Sequence, residues 1–126
     1  GMKIIGEFVW TLIDVPSTFT QQYGERQQGG FVDIVQPILK GKVLDWDNST
    51  LNLAVRLEYT DYNVGTFNST GGNIYDDVKA VVPAISFRPS EETVFRLNVR
   101  MEWATDILGN PPSYTLGYQF GLSTYF

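Results

Sequence analysis

Six charged residues are spaced so that they could act together. Arg56 stands two residues before Glu58, Arg100 two before Glu102, and Arg88 and Arg96 precede the second pair. In an extended chain, residues two apart share a face. Arg96, Asn98, Arg100 and Glu102 would therefore form one line. A ladder of arginines lining a polar surface raises the local anion concentration and can hold phosphate-like groups through forked hydrogen bonds. In that arrangement Glu58 and Glu102 pair with neighbouring arginines and hold the ladder in place. The plainer alternative is a set of solvated charges on the outside of a soluble sheet, laid out as cross-strand pairs.

Other chemistries find little support. The chain has no Cys and no His. This removes disulfides, a Ser-His-Asp triad, a Cys-His pair and most zinc sites. The segment DWDNST at 45–50 has some calcium-loop character, but Thr50 and Arg56 stand where an EF-hand needs Gly and Glu. A turn is the simpler account. Glu58 and Glu102 could in principle form a glycosidase pair, supported only by residue type. Asp76–Asp77 and Glu91–Glu92 fall in loop-like stretches, where solvation accounts for them. No Gly-rich phosphate loop is present. Asn48 and Asn68 head N-x-T sequons, which carry little meaning if the source is bacterial. The expectation is a protein that is not an enzyme and needs neither cofactor nor metal.

The elements that position these charges are strands. From Tyr114 to Phe126, Tyr114, Leu116, Tyr118, Phe120, Leu122 and Phe126 alternate with Thr115, Gly117, Gln119, Gly121 and Ser123. Phe95, Leu97, Val99, Met101 and Trp103 likewise oppose Arg96, Asn98, Arg100 and Glu102. Leu51, Leu53, Val55, Leu57 and Tyr59 oppose Asn52, Arg56, Glu58 and Thr60. Three weaker strands are expected at 3–13, 30–39 and 77–89. Pro37 and Pro83 each remove a ladder donor, which argues for a bulge or an edge position. No segment has sustained helical spacing; 17–28 reads as loop with a short helical turn at most. The connections 14–29, 64–76 and 106–113 are long, 89–92 is tight and 40–49 intermediate, all built from turn residues. The fold class is all-β: an antiparallel up-and-down meander of about six long strands, part of or closing into a β-barrel. One domain over 1–126 accommodates it, with Gly1 before Met2 read as the scar of a cleaved tag.

Alternation alone does not say whether the apolar face is a core or meets lipid. Net charge is −5 and the pI about 4.5, which disfavours nucleic acid as a partner. Aromatic content is 14% and charged content 18%, too polar for a helical membrane protein and too aromatic for a disordered chain. Strands over 93–105 and 114–126 would be long enough to cross a bilayer on a tilt. The alternation of long and short connections matches long external loops and short periplasmic turns. Trp10, Tyr59, Tyr62, Phe87, Trp103, Tyr114 and Phe126 recur near strand ends, as an interfacial girdle requires.

The chain closes GYQFGLSTYF. An alternating last strand ending in Phe resembles the assembly signal of bacterial outer-membrane barrels: Gln119, Gly121 and Phe126 fit it, and Thr124 stands where a larger hydrophobe is usual. The stretches LNLAVRLEYTDYNVGTF, ISFRPSEETVFRLNVRMEW and DILGNPP look like the closing strands of porin-family proteins of the phosphate-selective or general-porin kind. The resemblance covers about residues 30–126.

That resemblance implies a C-terminal segment of a larger barrel in the bacterial outer membrane, with a signal peptide upstream. Its function would be passive diffusion of small solutes with a lean toward anions. Arg56, Glu58, Arg88, Arg96, Arg100 and Glu102 would face the lumen, and outer-membrane lipid and the barrel-assembly machinery would be partners. The competing expectation is a soluble, lipocalin-like barrel or sandwich for a small apolar ligand. In that case Leu97, Val99, Met101, Leu116 and Phe120 turn inward. For the isolated sheet, self-association through open edges or the apolar face is expected.

Overall fold

A computed structural model describes residues 1–125. Six strands follow one another: β1 (Lys3–Leu12), β2 (Arg26–Val43), β3 (Trp46–Asp61), β4 (Asp77–Arg88), β5 (Thr93–Ala104) and β6 (Ser113–Thr124). Each pairs antiparallel with the next, in the spatial order β1-β2-β3-β4-β5-β6. This is the expected all-β meander. Among the described residues β1 and β6 do not pair with each other, so the sheet is open.

Two strands are longer than periodicity indicates. β2 and β3 extend toward each other until only Leu44 and Asp45 join them, with Val43 opposite Trp46. The connection expected over 40–49 is therefore mostly strand. Two register shifts, between Pro37 and Leu39 and between Gly41 and Val43, scramble its alternation. Gly41 has φ 136°, which an L side chain rarely adopts, and Leu44 turns the hairpin at φ 53°. Arg26–Gln28, expected to lie in a loop, begin β2.

Pro37 sits at one of those bulges, as a missing donor predicts. Pro83 does not. It lies in β4, between β3 and β5, and keeps its register opposite Val55. Toward β5 the ladder lapses between Val81–Met101 and Ala84–Asn98 and resumes unshifted. The absent N–H is absorbed as a local gap rather than a bulge or an edge.

All long connections (13–25, 62–76 and 105–112) fall at one end of the sheet, and both short ones (44–45 and 89–92) at the other. The first two long loops are knitted together. Gly24 N–H donates to Asn63 Oδ1 (2.5 Å), Val64 N–H to the Arg26 carbonyl (3.0 Å) and Asn68 N–H to Gln21 Oε1 (2.8 Å). Tyr23 meets Phe67 edge-on at 6.3 Å, and Ile74 and Asn63 are buried between the loops.

Directly opposed residues share a face, so register assigns every side chain. One face is mainly apolar, with Gln36 beside Leu53 and Lys79 beside Tyr59 as polar positions. Its rows include Val32–Leu57–Val81–Met101–Leu116 and Leu53–Ile85–Leu97–Phe120. The other face carries the charges. The sheet curls around that polar face, leaving a trough of about 1000 Å³ lined from Lys3 of β1 to Gln119 of β6. The apolar face is convex and exposed: Leu97 is 47% accessible, Leu116 45% and Phe120 69%. The inward turn of these residues expected for a soluble barrel is not the arrangement seen. The buried hydrophobic side chains among the described residues are only Ile74 and Ala80, so the hydrophobic effect within this sheet has little core to act on.

Candidate functional site: the polar trough

The trough wall can be read row by row from the register. Toward the long loops, Glu7, Phe31, Glu58, Ala80, Glu102 and Thr115 lie in one row. The next row toward the short turns holds Ile5, Asp33, Arg56 and Val82, with Arg100 opposite Gly117 on the far side. Side chains of these two rows form one continuous ionic chain. Arg56 forks onto Asp33, Nε to Oδ1 at 2.6 Å and the terminal nitrogen to Oδ2 at 2.7 Å. It also reaches Glu58 at 3.7 Å. Arg100 bridges Glu58 at 2.6 Å and Glu102 at 2.8 Å. Arg56 further stacks over the Phe31 ring at 4.3 Å. Three carboxylates thus engage two guanidiniums.

Beyond this zone the wall turns neutral, then cationic. Lys3, Val35, Ala54, Ala84, Asn98 and Gln119 make a row in which Asn98 Nδ2 donates to Gln119 Oε1 at 3.3 Å. Pro37, Asn52, Ser86, Arg96 and Gly121 make the next, with Asn52 Nδ2 donating to Ser86 Oγ at 3.3 Å. Lys40, Thr50 and Arg88 follow at the short-turn rim. Lys3, Lys40, Arg88 and Arg96 are exposed and, among the described residues, hold no ion pair.

All six charged residues singled out from the sequence line this one face, but the structure divides them. Arg56, Glu58, Arg100 and Glu102 belong to the ionic chain; Arg88 and Arg96 stand apart from it. Glu58 and Glu102 are joined through Arg100, so both carboxylates of the notional glycosidase pair are occupied as acceptors. Three participants were missed: Asp33, Lys3 and Lys40. The irregular alternation of β2 hid Asp33 and Lys40, and only the register puts Asp33 opposite Arg56. Of the assembly-signal residues, Gln119 and Gly121 face the trough beside Asn98 and Arg96. Phe126 lies outside the described residues. Asp45–Thr50 form the hairpin turn and the start of β3 rather than a cation loop, and among the described residues no cluster of three metal-ligating side chains occurs.

The convex face has its own order. Phe8, Gly30, Tyr59, Lys79, Trp103 and Tyr114 form one row at the long-loop end. Lys79 lies 5.9 Å from the Tyr59 ring centre and 3.1 Å from Asp77 at the strand's start. At the other end Leu51, Phe87, Phe95 and Leu122 align, and Trp46 packs edge-on against Phe87 at 5.8 Å. Three apolar rows separate the two belts. No helix among the described residues is long and apolar enough to cross a membrane, which says nothing about crossing by strands.

No family model matches the chain, and no curated protein or solved structure matches it.

Proposed function

We propose that this chain is a segment of the wall of an outer-membrane, porin-like β-barrel, with its convex face in lipid and its polar trough lining a passive path for small solutes. The observation that carries this reading is the sidedness of the curl. A sheet that bends around its charges and presents three largely apolar rows outward is stable only if something apolar covers the outside. The strand length fits a bilayer: the stretch from Phe95 to Trp103 reaches the roughly 9–11 residues that a tilted strand needs to cross. Aromatic belts at both limits match the girdles that sit at membrane interfaces. Long loops gathered at one end and tight turns at the other match their external and periplasmic sides.

The open edges define the remaining requirement. Unpaired N–H and C=O groups of β1 and β6 are not tolerated in hydrocarbon. In this reading both edges are paired by further antiparallel strands outside this sheet, and the trough becomes one sector of a closed lumen. Solutes would cross by diffusion, and no residue here is asked to perform a bond-making step.

Light scattering on a gel-filtration column, with and without detergent, tests the proposal. A particle that is monodisperse only in detergent and self-associates in plain buffer is the expected result. A compact monomer in plain buffer would mean that the apolar rows are covered by protein, and would overturn the reading.

A further inference from the structure

We infer that the two open edges of this sheet fit each other: β1 of one copy pairs antiparallel with β6 of the next, and copies joined head to tail close the barrel. The inference rests on the trough reading and deepens it by naming what pairs the edges. It is narrower than association through any edge or through the apolar face, because it fixes one joint and one register.

Neither edge is guarded. Natural edge strands are blunted by Pro, bulges or inward charges. β6 has no charged residue, no Pro and no register shift against β5. β1 pairs unshifted with β2 and carries only Lys3 and Glu7 as charges. Direction follows from the loops. β1 runs toward the long-loop end and β6 away from it. Set beside each other from two copies, they are antiparallel with all long loops on one side. Antiparallel pairing of β1 with β1 would send the long loops to opposite sides, and parallel pairing would turn one trough outward. Only the head-to-tail joint keeps every trough inside, and on a curled sheet such a joint generates a ring.

The register is restricted to even steps, since a slip of one residue would turn the apolar side chains of β1 inward. One such register satisfies shape, charge and shear together. On the convex face it sets Leu12 against Leu116, Trp10 against Tyr118 and Phe8 against Phe120. On the trough face Glu7 meets Gly121, which has Arg96 on its other side and no side chain to stand between them. Neither Glu7 nor Arg96 holds an ion pair among the described residues. Lys3 arrives against Tyr125, whose N–H donates to the Glu92 carbonyl at 3.0 Å. There it meets the carboxylates of Glu91 and Glu92, also outside any ion pair among the described residues. The row that begins at Gly6 crosses the sheet to Leu116. In this register it passes to Leu12 of the next copy, six residues along β1 after six strands. One residue of shear per strand corresponds to a tilt of about 36°, within the range of membrane barrels. Two residues less would flatten the strands, and two more would carry Glu7 past Arg96 to Ser123.

The chain has no Cys, so introduced thiols report the joint without background. The full chain carrying Val9→Cys is mixed with the full chain carrying Gln119→Cys, refolded into detergent micelles and oxidised in air. These positions are directly opposed in the inferred register, at a separation a disulfide spans. The mixture is expected to link at least about tenfold more than either variant alone. Thr11→Cys with Gln119→Cys is diagonal and should link at least about fivefold less. Glu7→Lys in the Val9→Cys chain should lower the yield about fivefold, and Arg96→Glu in the other chain should restore it. Equal linking in the single variants, a preference for the diagonal pair, a charge swap that restores nothing, or no link at all would each overturn the inference. A chain soluble without detergent that links in register fails only the membrane reading. A detergent-dependent chain that does not link fails only this one.

Discussion

The two faces of this sheet are made from the same strands, yet they solve opposite problems. On the concave side, charges are dense and those at its centre are answered: five side chains from β2, β3 and β5 close one ionic chain. On the convex side, large hydrophobes lie in rows that Gln36 and Lys79 interrupt, and they stay exposed among the described residues. Polar groups can find hydrogen-bond partners within a single layer, because neighbouring strands bring acceptors beside donors. Apolar groups in a single layer cannot leave water without a second layer or a non-aqueous medium. Apolar rows left open in this way call for one or the other, and the function proposed above assigns them to lipid.

Substitutions at neighbouring positions of β6 give the largest separation between the faces. Leu116→Arg places a charge well inside the convex band and should cost about 2–4 kcal/mol in vesicles, whereas Tyr114→Arg at the belt should cost about 0–1 kcal/mol. Thr115→Arg, on the trough side opposite Glu102, should change stability by less than about 0.5 kcal/mol. Urea unfolding in lipid measures all three. A soluble core would penalise Leu116→Arg without that gradation by depth.

Glycines on β2 give the next separation. A Cβ at Gly30, on the convex face, would meet the Glu7 carbonyl at 2.5 Å and Phe8 at 3.2 Å, forcing β1 away. Gly30→Ala should cost about 1–3 kcal/mol and raise hydrogen exchange along β1. Gly29→Ala, on the trough side, meets the Tyr59 carbonyl at 3.1 Å and Thr60 Oγ1 at 3.2 Å, and should cost less.

Within the trough the expected effects are smaller. Asp33→Asn removes the forked partner of a 42% exposed Arg56 side chain and should cost about 0.5–1 kcal/mol by urea unfolding. Arg96→Gln, which breaks no ion pair within the sheet, should be close to neutral. The smallest effect lies in the third long loop. The Asn110 side-chain amide, with backbone N–H groups of Asn110, Leu108 and Gly109, holds the Asp106 carboxyl below the usual carboxylate range. A depressed folded value means that the loop's support is present above the unfolded value, about 3.9. It is lost as pH falls through the folded value. Amide exchange at Leu108 and Asn110 should accelerate there, and Asp106→Asn should abolish that acceleration.

Most of this architecture is legible in the sequence where one face is apolar and the other polar. β3, β5 and β6 alternate cleanly, so their faces follow residue by residue. β2 is legible only in part. The shift between Pro37 and Leu39 exchanges its faces along the strand, and its residues Phe31 and Val35 put apolar side chains on the trough side. That concealed Asp33, and with it the reason that Arg56 differs from Arg96. Pro83 misleads for the opposite reason: a central strand can lose one donor as a local gap. Curvature is not legible at all. Period two gives two faces, but which face is concave depends on twist and bulges summed over six strands. Packing of the first two long loops escaped as well, because Asn63, which accepts from Gly24 N–H, and Gln21, which accepts from Asn68 N–H, carry no periodic signal.

The orientation of the faces is the central claim, and lipid quenching tests it most directly. In a background with Trp10, Trp46 and Trp103 replaced by Phe, one indole is introduced by Leu116→Trp or, separately, by Thr115→Trp, and the chain is refolded into vesicles of bromine-labelled lipid. The account predicts strong quenching of the indole at position 116 by the lipid chains. It predicts quenching of the one at position 115 by aqueous iodide but not by bromine. Quenching of the indole at 115 by lipid, or of both by iodide alone, would contradict it.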